Sequence, residues 1–207
     1  ELLPLSDLLV EADHPSHSNL AQTHTSWNGS FWIPGDLNDF LGIPFQVALD
    51  GKWVSVESQS SENLFQTKIF QGESIPFVLG GEGTEETYSQ VNAYFHHTAA
   101  HHYLSQHFGE AFPEIDVSLP STVNQPGQCT AYYSTAMLTG YSRSNEVCEN
   151  TAFDTVIYHE YGHFADDMAG GIENAALSEG WGDLLGTYMS NQPVLGENLY
   201  GEGSYVR

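Results

Sequence analysis

Basic side chains are scarce. Lys52, Lys68, Arg143 and Arg207 are the only lysines and arginines among 207 residues, set against 27 acidic side chains, for a net charge of -23. So few cations cannot form a basic patch, which excludes nucleic acid and anionic membrane surfaces as partners and leaves neutral or cationic ones. Cysteine is scarcer still, with Cys129 and Cys148 as the only pair. No apolar run approaches the roughly 20 residues needed to span a bilayer. The start, Glu1-Leu2-Leu3-Pro4, lacks the basic region of a secretory leader, so a secreted protein would already have lost it. What remains is 40% hydrophobic and 13% aromatic, enough for one sizeable core or two small domains.

The chemistry concentrates at His159-Glu160-Tyr161-Gly162-His163. On a helix, HExxH sets two imidazoles one turn apart on a single face with a carboxylate beside them, which is what a hydrolytic zinc requires. With 10 His in the chain the pattern arises by accident in roughly 4 of 100 shuffled sequences, so its neighbourhood must carry part of the weight. Thr151-Ala152-Phe153-Asp154 reads as a capping box with Thr151 as N-cap, and Gly170-Gly171 as a stop, predicting a helix over 152–169.

A catalytic zinc takes three protein ligands, so a third must be found. The helical pattern from Asn174 to Met189 offers Glu179 and Asp183, four residues apart on one face. Glu179 is assigned as ligand and Asp183 as the partner orienting a ligating histidine. Gly180, Gly182 and Gly186 weaken that helix but let two backbones approach closely. The competing reading of Ser178 to Asp183 is a solvated acidic helix end.

HEYGH followed by Ser-Glu-Gly-Trp-Gly-Asp resembles the gluzincin metallopeptidases, and among them the fungalysin-related secreted enzymes more than thermolysin, over residues 88–207. The resemblance implies His159, His163 and Glu179 as zinc ligands, Glu160 as general base, Asp183 as orienting partner, and Thr130-Ala131-Tyr132-Tyr133 as an edge strand that receives extended peptide. Tyr161 and Gly162 receive no role. It also implies a further helical subdomain after the glutamate, supplying a His or Tyr for the oxyanion. No histidine follows Asp183, and Tyr188, Tyr200 and Tyr205 are the remaining candidates. The chain therefore resembles part of a longer catalytic unit, expected to bind zinc and to cleave peptides poorly alone. Cys129 and Cys148 bracket the edge strand. An even pair in a secreted hydrolase favours a disulfide, with buried free thiols as the alternative.

Elsewhere the glycine cluster at 80–83 divides a β-rich region, 1–83, from the zincin-like region, 84–207. Strands are expected at 44–49, 52–58, 64–70, 76–79 and 112–119, the last leading to an edge strand over 129–138. Trp27, Phe31 and Trp32, in the segment 13–38, are read as core aromatics, with a carbohydrate platform as the alternative. A long helix over 87–108 carries His96, His97, His101 and His102. His97 and His101 have chelating spacing without a carboxylate, so a solvated or partly packed face is expected. The fold class is then α+β: a zincin-like half of small mixed sheet, long helix, HExxH helix and glutamate helix. The function is zinc-dependent peptide hydrolysis. The alternatives are an inactive zinc-stabilised domain and a β-rich binding module with an incidental HExxH.

Overall fold

The computed structural model describes residues 3–12, 21–33, 36–81, 83–127 and 129–206; the rest of the 13–38 segment, the glycine cluster's Glu82 and the fourth cation, Arg207, lie outside them. The order is β1 (Leu8–Ala12), β2 (Ala21–His24), β3 (Pro44–Gly51), β4 (Val54–Ser58), β5 (Phe65–Ile69), α1 (Glu85–Phe108), β6 (Leu119–Gln125), β7 (Ala131–Ser134), β8 (Leu138–Ser142), α2 (Asp154–Met168) and α3 (Ala175–Ser190). This is an α+β arrangement on a mixed sheet. The strands run β2-β1-β3-β4-β6-β8-β7, with β5 also paired to β3. The β4–β6 and β6–β8 pairs are parallel and the rest antiparallel. One sheet therefore draws strands from both sides of the 80–83 glycine cluster, and β7 closes it as an edge.

Two apolar clusters meet along α1. Its N-terminal half packs Ala93 and Tyr94 against Val10, Val47, Val54 and Val123 of the sheet. Its C-terminal half packs Ala100 and Leu104 with Tyr161, Phe164 and Leu185 of α2 and α3. Thr84 caps the helix in a reciprocal box with Thr87, so the helix begins two residues before the expected 87.

The inward side of α1 is more polar than its apolar residues predict. His97 and His101 are fully enclosed, so for them the packed alternative of the expectation holds. Among the described residues, neither belongs to a group that could hold a metal ion. His97 Nδ1 donates to Ala93 O at 2.7 Å and Nε2 accepts from Thr139 Oγ1 at 3.1 Å. His101 stacks on Trp53 and meets Asp116 at 2.9 Å. His96 meets the Tyr158 hydroxyl at 2.7 Å, and His102, half exposed, meets Asp7 at 2.7 Å. Burial lowers the pKa of His97 to about 4, against a partial counter-effect of its bond to Ala93 O.

Four other expectations change. Thr151 is buried and does not cap α2: its hydroxyl donates to Thr130 O at 3.1 Å and accepts from Ser142 N at 2.8 Å, and the helix starts at Asp154. The 76–79 segment is not a strand, because Pro76 has no N–H to pair. The Gln66 side chain instead bonds both backbone groups of Val78 at 2.9 and 3.0 Å. Pro113 opens a 3-10 turn, delaying the expected 112–119 strand to Leu119. Finally, Phe31 packs on Phe45 and Phe77, while Trp27 and Trp32 are 84% and 74% exposed, the first thrown outward by a turn in which Ser26 N bonds Ser30 O at 2.7 Å.

The Cys129–Cys148 disulfide is present and joins the start of β7 to the loop before α2. Replacing both cysteines by serine is expected to lower stability by about 3 kcal/mol, read as a fall in the urea midpoint. The folded chain keeps His97 neutral down to about pH 4, whereas an unfolded histidine protonates near 6.5. Protons therefore bind the unfolded state preferentially between those values, and stability falls as pH drops through that window, by about 3 kcal/mol from His97. Urea midpoints at several pH values for the native chain and H97Q separate this slope from the relief of acidic self-repulsion, and the variant should lack that share.

Candidate metal centre

The site is built where α2 and α3 touch. Gly162 of α2 faces Gly182 of α3 so closely that a Cβ at 162 would lie 2.9 Å from the Gly182 Cα. A Cβ at 182 would lie 2.8 Å from the His159 ring. Gly186 continues the contact, with space for a Cβ closed by Thr155 O and Leu195, each at 2.9 Å. Gly180 faces open space and takes no part, unlike its two neighbours. The Trp181 indole donates to Gly162 O at 3.0 Å and ties the helices across this seam. Asn174 caps α3, accepting from Ala176 N and Leu177 N, and Gly170 and Gly171 end α2 in left-handed backbone.

Across the seam, one atom each of His159, His163 and Glu179 converge within 4.8 Å. The two Nε2 atoms are 3.1 Å apart, and the Glu179 oxygens stand 3.6 Å from His159 Nε2 and 3.5 Å from His163 Nε2. Asp183 Oδ1 lies 3.0 Å from His159 Nδ1. An ionised carboxylate only accepts, so Asp183 accepts a hydrogen bond from His159 Nδ1–H and leaves the Nε2 lone pair facing inward. Two imidazole nitrogens and a carboxylate turned toward one point are a donor set that could hold a metal ion. The separations fit as well. Ligand bonds of about 2.1 Å in a tetrahedron place neighbouring ligand atoms roughly 3.4 Å apart. The imidazoles are largely enclosed, while the Glu179 side chain is 45% exposed.

Glu160 is buried, at 7% exposure, and lines a cleft of about 200 Å³ with His159, Asp183, Val156, Thr130 and Ala131. Tyr200 also lines that cleft; Tyr188 and Tyr205 do not. The expected strand residues divide. Thr130 precedes β7 and is bonded to Ser142 and Thr151. Ala131 faces the cleft. The Tyr132 hydroxyl lies 3.1 Å from Gln125 Nε2, and the Tyr133 hydroxyl donates to Asp167 Oδ2 at 2.8 Å. Burial, with Asp167 beside it, raises the Tyr133 phenol pKa.

Three participants escaped the sequence reading: Gly162, Asp166 and Ser178. Ser178 Oγ lies 3.2 Å from His163 Nδ1 and donates to Asp166 Oδ2 at 2.8 Å. The i, i+3 spacing from His163 to Asp166 was a usable signal, since it places both on one helix face.

No family model matches this sequence, and no curated protein matches it. Among solved structures, the chain is similar to the precursor of protealysin, a metalloproteinase from Serratia proteamaculans, with a TM-score of 0.51 and 16% identity. The match covers 72% of this chain and 50% of that one, so the likeness reaches half the length of the precursor. At that identity the likeness speaks for the fold, which is an α+β, zincin-like metalloprotease fold.

The glycine contacts predict opposite outcomes for two neighbouring substitutions. G180A should raise thermal stability, by up to about 1 kcal/mol, because helix propensity improves and nothing is displaced. G182A should push the His159 ring aside and part the helices, lowering both the melting temperature and metal uptake.

Proposed function

We propose that this chain carries the zinc-binding part of a secreted zinc endopeptidase, with His159, His163 and Glu179 as ligands, Glu160 as general base, and Asp183 orienting His159. The observation that carries the reading is the convergence of the three ligand atoms within 4.8 Å beside a buried glutamate and a sheet edge. The metalloproteinase neighbour supports it.

When bound, zinc supplies Lewis acidity, lowering the pKa of water toward neutrality and polarising a peptide carbonyl. Glu160 accepts the water proton and passes it to the leaving amine, work that contributes on the order of 10² to 10⁴ in rate. Residues 131–133 offer backbone at the sheet edge, where an extended peptide adds as a further strand, and the small cleft lined by Val156, Leu195 and Leu199 suits an apolar side chain. The disulfide and the absence, among the described residues, of any helix long and apolar enough to cross a membrane are consistent with export.

The same reading has a further helical subdomain completing the cleft and stabilising the oxyanion. Two observations support it: the chain spans half of the protealysin precursor, and α3 presents Leu177, Leu184 and Tyr188 exposed, an apolar face suited to being covered.

Elemental analysis of the purified chain is expected to show about one zinc per chain, lost in E179A and retained in E160Q. Casein hydrolysis by a longer form containing the remaining subdomain should fall by about 10² or more in E160Q. Zinc retained with no hydrolysis in any form would favour the inactive, zinc-stabilised alternative, and absence of zinc would overturn the proposal.

A further inference from the structure

The two histidines of the candidate centre are held differently. His159 Nδ1 meets a carboxylate directly, that of Asp183 at 3.0 Å. His163 Nδ1 meets a hydroxyl, Ser178 Oγ, at 3.2 Å, and that hydroxyl lies 2.8 Å from Asp166 Oδ2. We infer that Ser178, with its proton held by Asp166, is the positioning group for His163 and decides which ring nitrogen is turned to the metal. The inference rests on the zinc reading and deepens it.

The direction of the relay follows from what each group can do. A hydroxyl has one proton and two lone pairs, and an ionised carboxylate has no proton to give. Ser178 therefore donates to Asp166 and offers His163 a lone pair, which only an Nδ1–H can use. The neutral ring is thereby committed to the Nδ1–H tautomer, with the Nε2 lone pair pointing at His159 Nε2 and Glu179, 3.1 and 3.5 Å away. Without Asp166, Ser178 could instead donate to Nδ1, and a hydrogen on Nε2 would then occupy the position meant for the metal.

The fold supports this wiring. Asp166 is buried and sits on α2 one turn beyond His163, while Ser178 enters from the first turn of α3, so the relay crosses the same seam as the ligands. The next residue, Asp167, holds the Tyr133 hydroxyl at 2.8 Å. Consecutive aspartates at the end of α2 thus fasten a metal histidine on one side and the edge strand on the other.

The test measures zinc affinity by chelator competition on the full chain, with ring-nitrogen NMR of the metal-free protein. S178A and D166N should weaken zinc binding by about 10- to 100-fold, S178T should restore it to within about threefold, and E179A should lose far more. In the metal-free chain, His163 should be Nδ1–H and should gain Nε2–H in S178A, while His159 keeps its tautomer. Circular dichroism and melting of the metal-free variants report whether each is folded; if S178A is not, D166N carries the test. Zinc affinity within about threefold of the native chain in a folded S178A or D166N, with the His163 tautomer unchanged, overturns the inference and leaves the zinc reading standing. No zinc uptake by the native chain overturns both.

Discussion

The contact between Gly162 and Gly182 is the constraint on which the rest of the site depends. Side chains at either position would hold α2 and α3 further apart, and the residues that must reach across, Ser178, Glu179 and Asp183, are short or of fixed length. A glycine inside a helix costs about 1 kcal/mol relative to alanine. Here that cost is offset by the Trp181 bond to Gly162 O and by packing of Leu185 with Tyr161 and Phe164. The imidazole of His159 occupies the space a Cβ at Gly182 would fill, so the placement of this ring and helix packing are one geometric fact.

A second level of order holds β7 against that seam. The disulfide at Cys129, the Thr151 hydroxyl on Thr130 O and the Tyr133 hydroxyl on Asp167 act on successive points of the strand. An edge held this way has little freedom left to lose on pairing with a further strand. The net charge of -23 acts in the same sense for a dication.

Much of the interior polarity is paired across elements. Asn124, buried and in left-handed backbone, receives the Ser89 hydroxyl and donates to Ser58 and to the Glu86 carbonyl, joining β6, β4 and α1 at the bulge in the β6–β8 register. His97 is handled alike, between Ala93 O and Thr139. These are the residues on which periodicity misleads: α1 buries His97 and His101 because partners on β8 and near Asp116 receive them, and an apolar count cannot register partners contributed by distant elements.

Local pattern was enough for the elements of the site. HExxH, the glycine stop after it, the helical pattern from Asn174, and Glu179 and Asp183 on one helix face are all short-range regularities, and each stands where the spacing put it. The strands at 44–51, 54–58 and 65–69 were legible from alternation, whereas β1, β2 and the parallel pairing of β4 with β6 were not, since strand order is a long-range choice. The role of Thr151 went astray because a hydroxyl near a helix start has the same appearance whether it caps that helix or bridges two strands. Which glycines matter, and that Ser178 and Asp166 attend His163, depended on how two helices lie against each other. Sequence determined the candidate ligands by their spacing along two helix faces; the tertiary structure decided their convergence and their partners, because those contacts cross the seam between elements.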